Sequence, residues 1–387
     1  MKLLVLTSRF PYPLEKGDKL RIYYQLRELA KSHEIVLCAL TEEQPTPENF
    51  NVIQSFCSKI HLLHRSKFTI CKNIIFSFLN GMPVQIGYFF DKNLKAEFEK
   101  IVALEQPDHV YCQLIRTANY VKDIKISKTI DYMDTFSIGA KRWSKHSNWL
   151  LKPILTREAN KVASYEQEVF DWFHHHTIIS EQDKNLLEIA NKQAIHVIPN
   201  GVDTDFFQPN ETIEKKYDIA FIGNMGYAPN IKAALFLVKN ILPLLQKELP
   251  NLKILIAGAR PSAEVQKLQS EQVEISGWID DIREAYASAT MFVAPLFIGM
   301  GQQNKILEAM AMGVPCITSD LVNNAIGGCP NENILIANDA QAFANQIIHL
   351  YRNPTLQQQI SNNGLNYVRD NFSWSAFVEE LNRIWND

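Results

Sequence analysis

Residues 2–40 read KLLVLTSRFPYPLEKGDKLRIYYQLRELAKSHEIVLCAL. The segments KLLVLTS and EIVLCAL are short apolar runs rich in branched side chains, which predicts two buried β-strands. Between them, the spacing of apolar residues predicts a helix from about Leu20 to Ser32. A strand, a crossover helix and a second strand make up the repeating unit of parallel, doubly wound sheets. The stretch therefore predicts an α/β fold.

The same alternation of strand and helix continues along the chain. Further strands are predicted at residues 59–64, 109–114, 128–133 and 176–180, and a helical pattern covers 141–173. A strand then ends in the turn signal Pro199-Asn200-Gly201, a polar segment follows, and the alternation restarts at YDIAFIG. In this second half, helices are predicted at residues 231–249, 281–287, 340–352 and 354–370. We therefore predict two doubly wound domains with a boundary near residues 200–215.

Composition narrows the class of protein and its compartment. The 387 residues suit two domains of roughly 150 to 200 residues each. The formal net charge of −3 gives no overall attraction to nucleic acid, so none is expected as a partner. The start MKLLVLTSRFPYP lacks a signal-peptide core, and no run of about 18 uncharged apolar residues follows. We expect a cytoplasmic protein, at most peripheral to the membrane.

A second informative stretch is PLFIGMGQQNKILEAMAMGVPCITS, residues 295–319. A glycine-rich bend leads from a strand end into a helix, and backbone N–H groups at such a helix start suit an anion. Lys305 adds a positive charge, and Glu308 follows about one helical turn later. The pair could bind a phosphate and a sugar diol together. The alternative is a strand-loop-helix-strand unit with incidental polar residues.

Four motifs occur in order along nearly the whole chain: SRFPYPLEKGDKLR, IPNGVDTDFF, FIGNMGYAPN and GQQNKILEAMAMGVP. Together they resemble the GT-B retaining glycosyltransferases of the family-four type (glycosyl transferases group 1). Their variants are most similar to the PEP-CTERM/exosortase-associated sugar transferases. The resemblance implies a GT-B fold, in which two Rossmann-like domains face a cleft. It also implies an acceptor-binding domain at 1–205, a donor-binding domain at 206–372, and a C-terminal helix at 373–387 that crosses back to the first domain.

The resemblance implies a nucleoside-diphosphate sugar, such as a UDP-sugar, as co-substrate, with no metal or other cofactor, and a saccharide or lipid-linked acceptor. Glu308 would accept hydrogen bonds from the ribose hydroxyls, while Lys305 would face the diphosphate. Lys305, Asp134 and Gly17 are the implied catalytic positions. The implied donor-binding positions are Gly223, Asn224, Asn230, Arg260, Trp278, Ile279, Gly301, Gln303, Asn304, Lys305 and Glu308.

The chain also departs from the family pattern. Met300 stands where the family has the first Glu of a pair, so recognition of the sugar hydroxyls would rest on backbone N–H groups near Gly299 to Gly301 or on residues of the N-terminal domain. Many relatives carry an Arg and a Lys after the glycine of the third motif. Here Asn224 follows Gly223, and Asn230 stands near the Lys position.

Several alternatives remain open at the level of sequence. Gly17 could admit a ligand or belong to an ordinary βα turn, and Asp134 could contact the acceptor, accept its proton or cap a helix. The run His174 to His176 does not place its side chains on one face, so no metal site is expected. Two other functions are a nucleotide-sugar epimerase of the same fold and a non-catalytic sugar-nucleotide binder.

The stretch AKRWSKHSNWLLKPILTR, residues 140–157, mixes Lys and Arg with two Trp residues and an apolar run. This composition can meet an anionic membrane surface. The alternative is a solvated charged face. Peripheral contact with the inner membrane surface is therefore one expectation.

Overall fold

The computed structural model describes residues 1–145, 147–298 and 301–386. The chain divides into two compact units. Unit 1 contains Met1–Pro199 together with the chain from Trp374 onward, and unit 2 contains Asn200–Ser373. Each unit is built on one parallel β-sheet.

Unit 1 has a seven-stranded sheet in the order β3-β2-β1-β4-β5-β6-β7. The strands are β1 (Lys2–Thr7), β2 (Glu34–Thr41), β3 (Lys59–His64), β4 (His109–Gln113), β5 (Ser127–Asp131), β6 (His175–Ile178) and β7 (Ile195–Val197). The helices are α1 (Gly17–Leu29), α2 (Pro47–Gln54), α3 (Lys67–Leu79), α4 (Val84–Phe89), α5 (Lys92–Glu105), α6 (Ala118–Val121), α7 (Phe136–Lys145), α8 (Lys152–Phe170) and α9 (Glu181–Leu186).

Unit 2 has a six-stranded sheet in the order β10-β9-β8-β11-β12-β13. The strands are β8 (Tyr217–Ile222), β9 (Ile254–Ala257), β10 (Val273–Gly277), β11 (Ala289–Ala294), β12 (Cys316–Thr318) and β13 (Leu335–Ile336). The helices are α10 (Ala228–Phe236), α11 (Leu242–Leu245), α12 (Ala263–Gln266), α13 (Ile282–Ala287), α14 (Asn304–Ala311), α15 (Asp320–Ile326), α16 (Ala340–Tyr351) and α17 (Pro354–Asn371). A π-helical turn, Leu237–Ile241, joins α10 to α11.

The apolar runs form central strands because both faces of each sheet are covered. In β1, Leu4 and Leu6 belong to one core cluster of unit 1, while Leu3 and Val5 belong to another. Alternate side chains of a strand point to opposite faces, so one short apolar strand contributes to both cores. The predicted fold of two doubly wound parallel sheets is confirmed.

The last helix, α18 (Trp374–Asn386), packs on the sheet of unit 1. Its residues Val378, Leu381 and Ile384 lie in the same core cluster as Leu3 and Val5. Trp385 Nε1 donates a 2.8 Å hydrogen bond to Thr129 Oγ1. The helix thus covers one face of the unit 1 sheet.

Some element bounds differ from those predicted. The division between the units falls after Pro199, and Asn200 N donates to Gln302 Oε1 (2.9 Å) within unit 2. Helix α1 begins at Gly17 rather than at about Leu20. The pattern over 141–173 contains two helices, α7 and α8, and the pattern over 231–249 is a helix that starts earlier and contains the π turn.

By length and composition alone, one helical run among the described residues could cross a membrane: Ala228–Leu245, of which 39% is buried. This run connects β8 to β9, and its residues Ala234, Leu237 and Ile241 are buried. A core helix meets the same criterion, so the run is weak evidence for a membrane span.

Candidate functional site

In unit 2 the strand order reverses between β8 and β11, which are neighbours in the sheet. Ligands of open α/β sheets bind outside the carboxyl ends of the strands at such a reversal. Gly223 directly follows β8, and the chain after β11 leads to the start of α14 at Asn304. The two predicted glycine-containing motifs therefore meet at the position where this fold binds ligands.

Lys305 lies in contact with residues that follow β8. Its Nζ donates a 2.6 Å hydrogen bond to Asn230 Oδ1, and Asn230 Nδ2 donates to Asn224 O at 2.9 Å. A Cβ added at Gly223 would lie 2.8 Å from both Lys305 Nζ and Asn230 Nδ2, so a larger residue there would displace the ends of these two side chains. Burial lowers the pKa of Lys305 to about 8. Four predicted donor-binding residues thus form one cluster.

The start of α14 adds further positive potential beside Lys305. The residue before the helix, Gln303, makes no side-chain capping hydrogen bond. First-turn N–H groups have no intrahelical acceptor, and they lie at the positive end of the helix dipole. Gly301 has a φ of 70°, which favours glycine, at the turn into the helix. This helix start is suited to an anion, and the ammonium group strengthens that preference.

The turn before α14 is fixed by a residue that the sequence did not single out. The Gln302 amide pairs with the backbone of Asn200, with Asn200 N donating to Oε1 (2.9 Å) and Nε2 donating to Asn200 O (2.8 Å). Asn304 Oδ1 accepts from Asn200 Nδ2 at 3.2 Å. The side-chain oxygen of Asn304 therefore takes part in fixing this turn.

Glu308 is held by a second residue that the sequence did not reveal. Tyr286 Oη, on α13, donates a 2.8 Å hydrogen bond to Glu308 Oε2. Burial raises the pKa of Glu308, whereas the Tyr286 hydrogen bond and Lys305 act in the opposite direction. A carboxylate that is fixed through one oxygen can present the other to a pair of hydroxyl groups.

The loops after β9 and β10 lie at the same edge of the unit 2 sheet. A Cβ added at Gly258 would lie 1.9 Å from Gly223 O, which shows how closely the loops after β8 and β9 approach. Arg260, in the β9 loop, has a left-handed φ of 56°. Trp278 is 65% exposed, and its Nε1 donates to Asp280 Oδ1 at 3.0 Å, while Ile279 beside it is half-buried. Gly299 and Met300 lie outside the described residues.

In unit 1, Gly17 is the first residue of α1, and an added Cβ would meet no atom within 4 Å. Asp134 follows β5 after Met133, which has a left-handed φ of 61°. Burial, and after it the nearby Asp183 carboxyl, raises the pKa of Asp134 to about 7. In the first turn of α7, which follows Asp134, Ser137 N donates a 3.1 Å hydrogen bond to Glu166 Oε1.

Asp131, at the end of β5, has a structural role. It forms a buried ion pair with Arg21 (2.6 Å) and accepts from Thr177 Oγ1 at 3.0 Å. His176 Nε2 lies 2.8 Å from Phe170 O, and burial lowers its pKa to about 4. Across residues 1–145, 147–298 and 301–386, no three His, Cys, Asp or Glu side chains group as a metal site.

The sequence model of the family described as "Glycosyl transferases group 1" matches residues 216–353. Unit 2 matches group 1 glycosyl transferases. The whole chain is 20% identical to a 44.6 kDa protein in the cps region of Klebsiella pneumoniae, over 96% of each chain. It is 28% identical to the capsular polysaccharide biosynthesis glycosyltransferase CapM of Staphylococcus aureus, over 48% of this chain and 53% of CapM.

A third relative is the UDP-Gal:alpha-D-GlcNAc-diphosphoundecaprenol alpha-1,3-galactosyltransferase of Escherichia coli, 24% identical over 50% of this chain and 54% of that one. Among solved structures, sucrose-phosphate synthase from Thermosynechococcus elongatus has a TM-score of 0.75 at 15% identity, covering 100% of this chain and 98% of that one. Anabaena HepE in complex with UDP has a TM-score of 0.72 at 12% identity, covering 100% of both. At these identities the structures show the fold.

Proposed function

We propose that the protein is a glycosyltransferase that moves a sugar from a nucleoside-diphosphate donor to a saccharide or lipid-linked acceptor in polysaccharide or glycoconjugate biosynthesis. The observation that carries the proposal is the Lys305–Asn230 contact at the uncapped start of α14, where the unit 2 sheet reverses. The family match over residues 216–353 includes this site.

In this proposal unit 2 binds the donor. Lys305 and the first N–H groups of α14 hold the diphosphate, and Glu308 accepts hydrogen bonds from the ribose hydroxyls. Arg260, with Trp278 and Ile279, lies at the same sheet edge and would contact the base or the diphosphate. UDP is the proposed nucleotide, since the similarly folded HepE was solved with UDP.

The proposed chemistry depends on charge that grows on the leaving diphosphate as the glycosidic bond breaks. A partly desolvated ammonium group stabilises that charge more strongly than it would in water. We propose that this replaces a metal ion, that the anomeric configuration is retained, and that the leaving phosphate accepts the acceptor proton. Unit 1 would bind the acceptor beside Gly17 and Asp134. The motif variants favour placement among the PEP-CTERM/exosortase-associated sugar transferases.

The test is consumption of a panel of nucleoside-diphosphate sugars in the absence of acceptor, followed by mass spectrometry and NMR. A transferase is expected to release nucleoside diphosphate and free sugar slowly, because water replaces the acceptor. Formation of an epimerised sugar nucleotide would identify an epimerase. If no donor is consumed although the nucleotide binds, the protein is a non-catalytic binder. EDTA should leave the release rate unchanged.

We further propose that the protein works in the cytoplasm at the membrane surface, because helix α3 exposes most of its large apolar side chains. Ile70 and Ser77 are its buried residues, and Asn73 Nδ2 donates to Phe90 O at 2.6 Å. Five apolar residues face outward and are between 54% and 81% exposed: Phe68, Ile75, Phe76, Phe78 and Leu79. Such a face suits insertion at a lipid interface.

Cationic groups border this apolar face. Lys161 Nζ, on α8, lies 5.8 Å from the centre of the Phe78 ring, so α3 and α8 are neighbours. Lys122, Arg157 and Lys161 line a cavity of about 590 Å³ between α8 and the chain after α3. At the start of α8 and in the loop before it, further apolar side chains are exposed: Trp149, Leu150, Leu151 and Ile154. Exposed apolar side chains bordered by Lys and Arg suit the surface of a bilayer that contains anionic lipids.

Co-sedimentation with phosphatidylglycerol vesicles tests the membrane proposal. The variant Phe68→Gln/Leu79→Gln should lose binding, while Leu104→Gln, which changes an equally exposed apolar residue on α5, should bind like the wild type. Binding that is equal for all three proteins would contradict the assignment to α3.

A further inference from the structure

Arg116 stands at the point in unit 1 that corresponds to the donor site in unit 2. The strand order of the unit 1 sheet reverses between β1 and β4, and Arg116 follows β4 while Arg9 follows β1. The chain reaches Arg116 through Leu114, which has a left-handed φ of 68°. Strained backbone of this kind concentrates at functional sites, because the surrounding structure must hold it.

The half-buried Arg116 guanidinium lies against two aromatic rings and forms no ion pair with the described residues. Its Cζ lies 5.1 Å from the centre of the Phe89 ring and 4.7 Å from that of Phe136. Its Nε is buried and has no hydrogen-bond acceptor among the described residues. Burial, and after it the charge of Arg9, lowers the pKa of Arg116 to about 10.

Two other arginines contact the same Phe89 ring, but each has its own carboxylate. Arg9 pairs with Asp18, and Arg65 pairs with Glu42 at 2.8 Å. The Cζ atoms of Arg9 and Arg65 lie 5.5 Å and 4.6 Å from the ring centre. Among the described residues, Arg116 is therefore the one of these three arginines that forms no ion pair. The carboxylates of Asp18 and Asp134 act on it from further away, and Arg65 Nε also lacks an acceptor.

A second unpartnered polar atom lies next to Arg9. Ser8, which joins β1 to Arg9, is 1% exposed, and its Oγ has no hydrogen-bond partner in the described parts of the chain. Buried polar groups in proteins are nearly always hydrogen-bonded, and buried charges are paired. A buried hydroxyl and a buried guanidinium Nε without partners at a sheet reversal are typical of a site whose partner is a ligand.

We infer that Arg116, together with Arg9 and Ser8, binds an anionic group of the acceptor, a phosphoryl or carboxylate group. This inference rests on the proposed function, in which unit 1 binds the acceptor. A guanidinium group donates in a planar fork that matches both oxyanions, and it binds more strongly in a partly dehydrated pocket. The enzyme would thus select charged acceptors over neutral sugars.

The test uses the full chain with Lys305→Ala, which removes the diphosphate-binding ammonium of unit 2. Glucose 1-phosphate, glucuronate and glucose are titrated by calorimetry and by thermal melting. The anionic ligands should bind and raise the melting temperature, whereas glucose should do neither. Preference between the two anions then distinguishes a phosphoryl from a carboxylate acceptor group.

Adding Arg116→Met keeps apolar volume between the two rings and removes the charge. The variant should bind the anion at least tenfold more weakly. Without ligand it should melt no lower than its parent, because a half-buried charge that forms no ion pair has been removed. Arg383→Gln, at an exposed arginine on α18, is the matched control and should bind like the parent. If Arg116→Met fails to fold, Arg9→Gln must show the same loss of binding.

Undiminished anion binding in Arg116→Met, or equal binding of glucose and glucuronate, would overturn the inference. Donor hydrolysis by the protein with Lys305 intact separates this result from failure of the proposed function. Hydrolysis without anion binding at Arg116 would refute only the acceptor inference, whereas no hydrolysis with any donor would refute the transferase itself.

Discussion

Lys305 Nζ donates a 2.6 Å hydrogen bond to Asn230 Oδ1, 75 residues away in the sequence. The orientation of the Asn230 amide is fixed, because its Nδ2 donates to Asn224 O at 2.9 Å. The asparagine therefore holds the ammonium group at the start of α14 without neutralising it. A neutral partner leaves the full positive charge available to an anionic ligand.

Replacing this neutral partner by a carboxylate should impair donor binding. In Asn230→Asp the new carboxylate pairs with Lys305 and competes with the diphosphate, so UDP affinity should fall about tenfold, or roughly 1.4 kcal/mol. Calorimetric titration with UDP measures the change. Asn345→Asp, at an exposed position of unit 2, controls for the added negative charge. Unchanged affinity in Asn230→Asp would mean that the diphosphate lies elsewhere.

UDP affinity should depend on pH through Lys305. Burial lowers the pKa of this group to about 8, so the free protein loses the ammonium charge as the pH rises from 7 to 9.5. The bound diphosphate favours the protonated form, and affinity should fall on the order of tenfold across this range. Lys305→Ala should bind UDP weakly, with no such slope. Equal slopes in the two proteins would show that another group titrates.

Glu308→Ala should weaken UDP binding by about 2 kcal/mol, because the ribose hydroxyls lose a charged acceptor. Inorganic pyrophosphate has no ribose, so its affinity should be the same in the wild type and the variant. Tyr286→Phe, which removes only the group that positions Glu308, should weaken UDP binding less. A parallel loss of UDP and pyrophosphate affinity would assign Glu308 to the diphosphate or to the fold.

Gly17→Ala should separate ligand binding from stability. The added Cβ meets no atom of the chain within 4 Å, and alanine favours the helix that begins there, so the melting temperature should not fall. If the diphosphate or acceptor approaches the backbone at Gly17, donor turnover should still drop at least tenfold. Normal turnover in a stable variant would make Gly17 an ordinary helix start.

Asp134→Asn should raise the stability of the protein at pH 8 and lower its activity. The pKa of Asp134 in the folded state is about 7, above its ordinary value of 3.8. Between pH 3.8 and pH 7 the folded state therefore binds more protons than the unfolded state. The stability of the wild type falls as the pH rises through this range. The variant should be more stable than the wild type at pH 8 by at least about 1 kcal/mol, equally stable near pH 4, and less active. Urea titrations at both pH values measure the difference. Lower stability at pH 8 would indicate that the carboxylate is a structural partner.

The fold could be predicted from the sequence because its strands are buried on both faces and therefore appear as continuous apolar runs. The exception is β13, which has only two residues and shows no period. The break between α7 and α8 was also missed, since apolar residues continue through it. The outward-facing apolar side of α3 could not be predicted either, because an apolar helix shows its solvent side only after it is packed.

The site was predictable only where it is local in the sequence. Lys305 and Glu308 lie one turn apart on α14, and this spacing indicated them. Their partners Asn230 and Tyr286 are 75 and 22 residues distant, and only the topology of the sheet brings them near. Arg116 could not be predicted as a site residue, because in a sequence an arginine after a strand looks like an ordinary solvent-exposed side chain. Only the structure shows its contacts with the rings of Phe89 and Phe136.

Hydrogen–deuterium exchange of the full chain with and without UDP locates the nucleotide without any substitution. We expect slower exchange at residues 223–227, 258–260 and 301–308, which follow β8, β9 and β11 in unit 2. Slower exchange confined to other parts of the chain, or unchanged exchange at saturating UDP, would contradict a donor site built on Lys305 and Glu308.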